Sequence, residues 1–526
     1  MQIVSFDFLA LAAAVTALYF VLPKRFQWIV VLCGSAVFYC SYGVKYILLI
    51  LISSFVSWLA ALRLQSVSKL SGIAVPALEG DAKKGARAEL LSIRRFICGA
   101  AVVCVVGIWV VLKYSNFFIE NFNAVAGKIN AAWEVPLRSW VLPLGISYYT
   151  FHIVGYVVDV YRGKYPAERN FAKYLAFVMF FPHIVQGPFS RYDSLGKTLF
   201  EEHGFSYDRL CQGCARILWG VFKKLIVADK LSVAVSGILD NYGSYPGAYS
   251  LFAVFAYSIQ IYADFSGYMD IMCGLSHILG ISLEENFRQP FFAKTVDEFW
   301  RRWHITLGAW AKDYVFYPVS MGKFAQKLGR SARKKWGAKM GKLVPGYFAL
   351  IFVWTATGLW HGASWTYIVW GYLSLFSIMS TMQLSDFYEK AKAKCHINSD
   401  SFGWKAFCIV RTFILLSFFR FFTTQPTLTA ALSTLKHVFT ELHPGSFLYP
   451  NALFVGMSTA DQHAAIFGAV IMFVVDLLNE KGKWDAFKEK CPVVLRDVWY
   501  AVMVILMLLL TTVNSDILGG FIYANF

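Results

Sequence analysis

The stretch Thr357-Gly358-Leu359-Trp360-His361-Gly362-Ala363-Ser364-Trp365 lies inside the apolar run from Leu343 to Leu384. It sets a histidine between two glycines and two tryptophans at membrane depth. An ionisable side chain in a hydrocarbon span costs a few kcal/mol or more, so it faces a protein interior or a watery pathway and marks function. Gly358 and Gly362 are four apart, on one helical face, where missing side chains let a backbone or a ligand come close. An imidazole, with an ordinary pKa of about 6.5, takes and returns a proton near neutrality. His361 is therefore the expected proton carrier.

The surrounding composition sets the solvent. With 526 residues, 57% hydrophobic, 17% aromatic and only 15% charged, the chain is too apolar for a soluble enzyme. Apolar runs of about 17 to 25 residues recur along most of it, as bilayer-spanning helices require. The reading is an all-α polytopic membrane protein of roughly eleven spans with re-entrant or interfacial helices besides. It forms one transmembrane domain over 1–526: N-terminal helices in 1–135, a core in 136–384 carrying His304 and His361, and C-terminal helices in 385–526. The formal charge of +17 would suit nucleic acid. However, the lysines and arginines fall in short loops between apolar runs, the positive-inside pattern, and no basic-aromatic domain is left for a polynucleotide.

Those loops orient the chain. Arg63 to Arg95 and Lys323 to Lys342 are the most basic stretches and read as cytoplasmic. Lys24-Arg25 follow the first apolar run with no small-residue cleavage site, as in an uncleaved first helix. Phe171 to Pro188 is interrupted by Pro182, His183, Gly187 and Pro188, which suits a broken or re-entrant segment. Lys223-Lys224, ending a helix near Leu210 to Ile226, are expected to snorkel to an interface. Val498 to Val513 is the last expected span. By simple parity His361 sits at the outer turn of a hairpin.

Ten cysteines imply no disulfide framework, because six lie in apolar runs and behave as small hydrophobes. Cys211 and Cys214 form a lone CxxC, better explained by helical packing than by zinc or redox chemistry. No metal site is expected.

Two further constellations carry polar chemistry. In Asp297 to His304, helical spacing places Asp297, Arg301 and His304 on one face and Phe299, Trp303 and Trp310 on another. Arg301 and Arg302 either meet a phosphate-bearing substrate, which guanidinium forks suit, or belong to an interfacial helix facing lipid head groups. In Tyr262 to Asp270, Asp264 pairs by spacing with Tyr268, and Ser266 with Asp270. Asp264, at the end of an apolar span, needs a partner, with Arg301 or a histidine as candidates. His152 and His183 read as core histidines. No HExxH, EF-hand, P-loop or GxSxG pattern occurs, and the last absence argues against a self-contained serine acyltransferase.

Taken together, Pro143-Leu144-Gly145-Ile146-Ser147-Tyr148-Tyr149, Asp159-Val160-Tyr161-Arg162-Gly163, Phe181-Pro182-His183-Ile184-Val185-Gln186-Gly187-Pro188, Asp264-Phe265-Ser266-Gly267-Tyr268, Glu298 to His304 and Gly358 to Gly362 resemble the membrane-bound O-acyltransferase superfamily. The likeness is to its bacterial branch, the membrane proteins of alginate O-acetylation and of teichoic acid D-alanylation. The resemblance implies a helical bundle around a funnel, with His361 matching the catalytic histidine and His304 the second polar position. Asp264, Ser266, Tyr268, Arg301, Arg302 and Trp360 are the accompanying substrate-binding candidates. It further implies no bound cofactor, an acyl thioester donor such as acetyl-CoA, and an acceptor hydroxyl on an extracytoplasmic polysaccharide or a partner acyltransferase protein. The location would be the bacterial cytoplasmic membrane. The rival from another class is a proton-coupled transporter or flippase, which intramembrane His, Asp and Arg also suit. Such folds carry inverted repeats with matched broken helices, and no second Gly-Leu-Trp-His-Gly occurs.

Overall fold

The computed structural model describes residues 3–129 and 133–484, with 486, 492, 495, 498 and 500–505. Every regular element among the described residues is helical. Among the described residues five helices are long and apolar enough to cross a membrane: Val44–Ile73, Gly80–Ile129, Lys323–His361, Phe402–Thr423 and Thr459–Glu480. Other apolar runs form shorter helices, such as Phe6–Val21, and most of the expected span Val498 to Val513 lies outside the described residues.

The chain forms two compact units, the first from Met1–Cys214 and Met272–Glu284 and the second from Ala215–Ile271 and Glu285–Phe526. In the first, α1 (Phe6–Val21), α2 (Gln27–Cys40), α3 (Ile47–Ala74), α4 (Gly80–Ile129), α5 (Ile146–Arg162), α6 (Phe171–Met179), α7 (Phe181–Ile184) and α8 (Tyr192–Leu199) follow in order. The stretch Arg63 to Arg95 is not a loop. Its Ala, Leu, Lys, Arg and Glu residues are strong helix formers, so its charges ride on the ends of α3 and α4, and the chain turns only around Pro76.

The segment Phe171 to Pro188 is broken, as its prolines and glycines require. The Asn170 side chain caps α6 by accepting from the Ala172 and Lys173 amides, and α7 restarts at Phe181 with Pro182 in its first turn. Gly145 enters α5 with φ 65°, and a Cβ there would strike the Ile184 carbonyl oxygen. This close approach seats α7 against α5, and the His152 and His183 rings stack with centroids 4.0 Å apart.

Helix α9 (Tyr207–Phe222), whose second half opens the second unit, runs through a π-helical turn at Lys223–Ala228 into α10 (Asp229–Leu239), followed by α11 (Gly247–Ile278), which is in the second unit up to Ile271, and by α12 (Val296–Arg302), α13 (Ile305–Ala311) and α14 (Tyr317–Ser320). Then come α15 (Lys323–His361), α16 (Trp365–Gln383), α17 (Ser385–Lys394), α18 (Phe402–Thr423), α19 (Leu428–Thr440) and α20 (Thr459–Glu480). The basic stretch Lys323 to Lys342 is helical rather than a loop. Gly337, at φ 89°, breaks it into two arms that fold back, so that Gly329 faces Pro345 and Gly341 faces Arg333. Lys223 and Lys224 do not snorkel: both are buried, each against a carboxylate of α11.

Candidate active site

Among these elements, His304 is placed by backbone pairing rather than by a helix. The helix α12 ends at Arg302, where Arg302 O accepts from Arg288 N at 2.9 Å, and Ile305 N donates to Asn286 O at 3.0 Å. His304 itself is left-handed, φ 48° and ψ 52°, a conformation rare for residues with a Cβ. The expected shared face of Asp297, Arg301 and His304 is therefore lost. Arg301 stays on the exposed side of α12 with Asp297, whereas His304 turns inward and is buried.

Asn286 sets the protonation of that ring. Its Oδ1 accepts from Thr306 N at 3.1 Å and from Thr306 Oγ1 at 2.9 Å, and lies 3.2 Å from His304 Nδ1. A backbone N–H can only donate, so the Asn286 atom facing it is oxygen, and the Nδ1 beside that oxygen carries the hydrogen. His304 lies outside the apolar spans, and burial pushes its pKa down to about 3. A neutral ring with its proton on Nδ1 presents Nε2 as the basic nitrogen. Replacing Asn286 with alanine strips the acceptor from Thr306 N and His304 Nδ1, with an expected loss of about 1–3 kcal/mol of stability. Thermal unfolding of purified protein will register the loss.

His361 is the last residue of α15, and Gly362 leaves the helix in extended backbone. Its ring is enclosed by aromatics: Trp360 with centroids at 4.8 Å, Trp370 at 4.9 Å and Tyr367 stacked at 6.2 Å. Trp360 also meets His304 at 5.7 Å, so one indole touches both imidazoles. The two glycines make room for backbone and ring. A Cβ on Gly358 would stand 2.7 Å from Tyr367 O, and one on Gly362 would run into the Tyr367 ring. Gly371 on α16 answers Gly358, with its own Cβ position 2.9 Å from Trp354 O. Gly358→Val should push α15 and α16 apart and destabilise the protein by about 1–3 kcal/mol, read as a fall in Tm.

The Asp264 segment joins the same region. Phe265 on α11 packs edge-on against His304 with centroids 4.9 Å apart. The partner of Asp264 is neither Arg301 nor a histidine. Lys224 Nζ lies 2.8 Å from Asp264 and 2.8 Å from Asp229, while Lys223 Nζ donates to Ser266 Oγ at 2.9 Å and pairs with Asp270 at 2.5 Å. The π-helical turn aims both lysines at α11, and Gly220 and Gly267 let the backbones approach until a Cβ on Gly220 would be 2.5 Å from Gly267 O. Tyr268, four residues from Asp264, is fully buried. Arg302 is held by Glu298 at 2.7 Å and by Glu480 at 2.6 Å, so its fork is already engaged by carboxylates.

Residues 137–333 match the model of the MBOAT, membrane-bound O-acyltransferase family. This stretch is similar to the membrane-bound O-acyltransferase family. His304, Asn286 and the Asp264 segment fall inside the matched residues, and His361 falls beyond them. "Probable alginate O-acetylase AlgI" of Azotobacter vinelandii is 33% identical over 357 residues, covering 67% of this chain and 63% of that protein. The peptidoglycan O-acetyltransferase of Helicobacter pylori is 29% identical over 289 residues, half of each chain. The teichoic acid D-alanyltransferase of Bacillus subtilis is 28% identical over 357 residues, 62% of this chain and 86% of that one. The chain thus spans less than two thirds of the alginate O-acetylase it resembles. Its long apolar helices and its match to a membrane-bound family are those of a multi-pass membrane protein.

Sequence reasoning missed several residues that pack around this candidate site. Asn286, Lys223, Lys224 and Trp370 give no local signal of their role, because each is defined by what the fold brings opposite. Arg420 did leave a sign, a lone charge in the apolar run Ala406 to Phe422. Its guanidinium lies over the rings of Trp303 at 5.5 Å and Trp370 at 5.9 Å.

Proposed function

We propose that this protein is an O-acyltransferase of a bacterial cytoplasmic membrane. It moves an acyl group, acetyl by preference, from a cytosolic thioester toward hydroxyls of an extracytoplasmic polysaccharide or toward a partner protein. The observation that carries this reading is the pair of buried imidazoles sharing the Trp360 indole in a chain similar to the MBOAT family. In the step envisaged, the acceptor oxygen attacks the thioester carbonyl, the C–S bond breaks as the C–O bond forms, and His361 takes the hydroxyl proton and returns it to the departing thiolate. His304, neutral and held by Asn286, positions the acceptor through Nε2. Acyl thioesters such as acetyl-CoA are the proposed donors, and the relatives named for alginate, peptidoglycan and teichoic acid support an envelope polymer as the acceptor class.

The deciding experiment is transfer from labelled acetyl-CoA by purified protein to envelope polysaccharide. Label in the polymer supports the reading. Counterflow of an envelope precursor in liposomes, with no acyl donor and no transfer in its presence, would overturn it in favour of a transporter.

A further inference from the structure

Arg420 is a buried cation of the second unit that the proposed chemistry does not use. It sits on α18 between Phe419 and Phe421, and only 6% of its surface is exposed. An arginine cannot shed its charge by deprotonation, and a buried ion needs a partner. Among the described residues every other buried lysine of this unit has one: Lys223 with Asp270, Lys224 with Asp264 and Asp229, and Lys230 with Asp461. Among the described residues no carboxylate pairs with Arg420, and its guanidinium makes no hydrogen bond to them. What it meets are the faces of Trp303 and Trp370. Indole faces attract a guanidinium but leave its in-plane N–H groups unanswered. The location is specific. Trp370 is 4.9 Å from His361 by ring centroids, and Trp303 precedes His304 in the chain.

We infer that Arg420 is the anion-recognition residue of this site, binding a carboxylate or phosphate oxygen of a substrate through its N–H fork while the two indoles hold the guanidinium plane. The fork geometry matches two-oxygen anions. Such a contact orients the substrate one indole away from His361 and makes Arg420 a specificity determinant. The inference rests on the acyltransferase reading only for which molecule bears the anion, a phosphorylated thioester donor or an acidic polysaccharide acceptor.

The test is equilibrium binding to full-length purified protein, wild type against Arg420→Met and Arg420→Lys. The probes are acetyl-CoA, uncharged acetyl-pantetheine, a uronate oligosaccharide and its methyl-esterified counterpart. Wild-type protein should prefer one anionic probe over its neutral counterpart. Arg420→Met should erase that preference, weakening the anionic probe about 10- to 100-fold and leaving the neutral one unchanged. Arg420→Lys should recover part of it, which separates lost charge from lost packing. Preference for acetyl-CoA assigns the anion to the donor, and preference for the uronate assigns it to the acceptor. Equal affinity of wild type and Arg420→Met for each probe, or no anionic preference in the wild type, overturns the inference. Neither result depends on acyl transfer, so its failure is distinguishable from failure of the enzyme assignment.

Discussion

His361→Ala is expected to lower acyl transfer by about 10² to 10⁴-fold, the range a general base supplies, while the amount of folded protein is maintained. The ring packs against Trp360, Tyr367 and Trp370, so its replacement takes away a titratable nitrogen while these aromatics remain to hold the helix ends. His361→Gln tests the same point with nearly the same volume and hydrogen-bonding capacity but no titratable nitrogen. The measurement is label transferred per milligram of protein that elutes as a monodisperse peak. Transfer at the wild-type rate by either variant would remove His361 from the mechanism, and a scaffold role would then be the better reading.

The second large effect is structural. Lys224→Met is expected to destabilise the protein by about 3–5 kcal/mol, because it leaves Asp264 and Asp229 buried and facing each other without the ammonium they share. Asp264→Asn should cost less, since Lys224 keeps Asp229. The ordering is the informative part. If Lys224→Met unfolds at the same temperature as wild type, the shared pair is not holding α11 to the turn at Lys223–Ala228. Combining Lys224→Met with Asp264→Asn and Asp229→Asn should recover much of the loss, as buried charge is then gone from both sides. Because Phe265 packs on His304, residual folded Lys224→Met should also transfer more slowly.

These effects follow from side chains that were legible in the sequence to different degrees. His361 stood out because a titratable ring in an apolar run is costly anywhere, whatever surrounds it. The helical class was equally readable, since a bilayer allows a backbone no other open solution. The loops were misread where hydropathy alone decided. Arg63 to Arg95 and Lys323 to Lys342 are polar, but polar helix formers continue a helix, and only Pro76 and Gly337 turn the chain. Helical spacing failed at His304 for the converse reason. It assumed that α12 continued, whereas pairing of 286–288 with 302–305 unwinds the chain and turns the ring inward.

What the sequence by itself determined is the solvent, the secondary-structure class and the histidine at the centre of the site, because these depend on composition and on the cost of a charge in hydrocarbon. Only the tertiary structure decided the partners. Asp264 to Lys224, His304 to Asn286, Gly358 to Tyr367 and Arg420 to two tryptophans are pairings between different elements of the fold. A local pattern can announce that a buried polar group requires a partner, but which group meets it is settled by how helices pack in three dimensions.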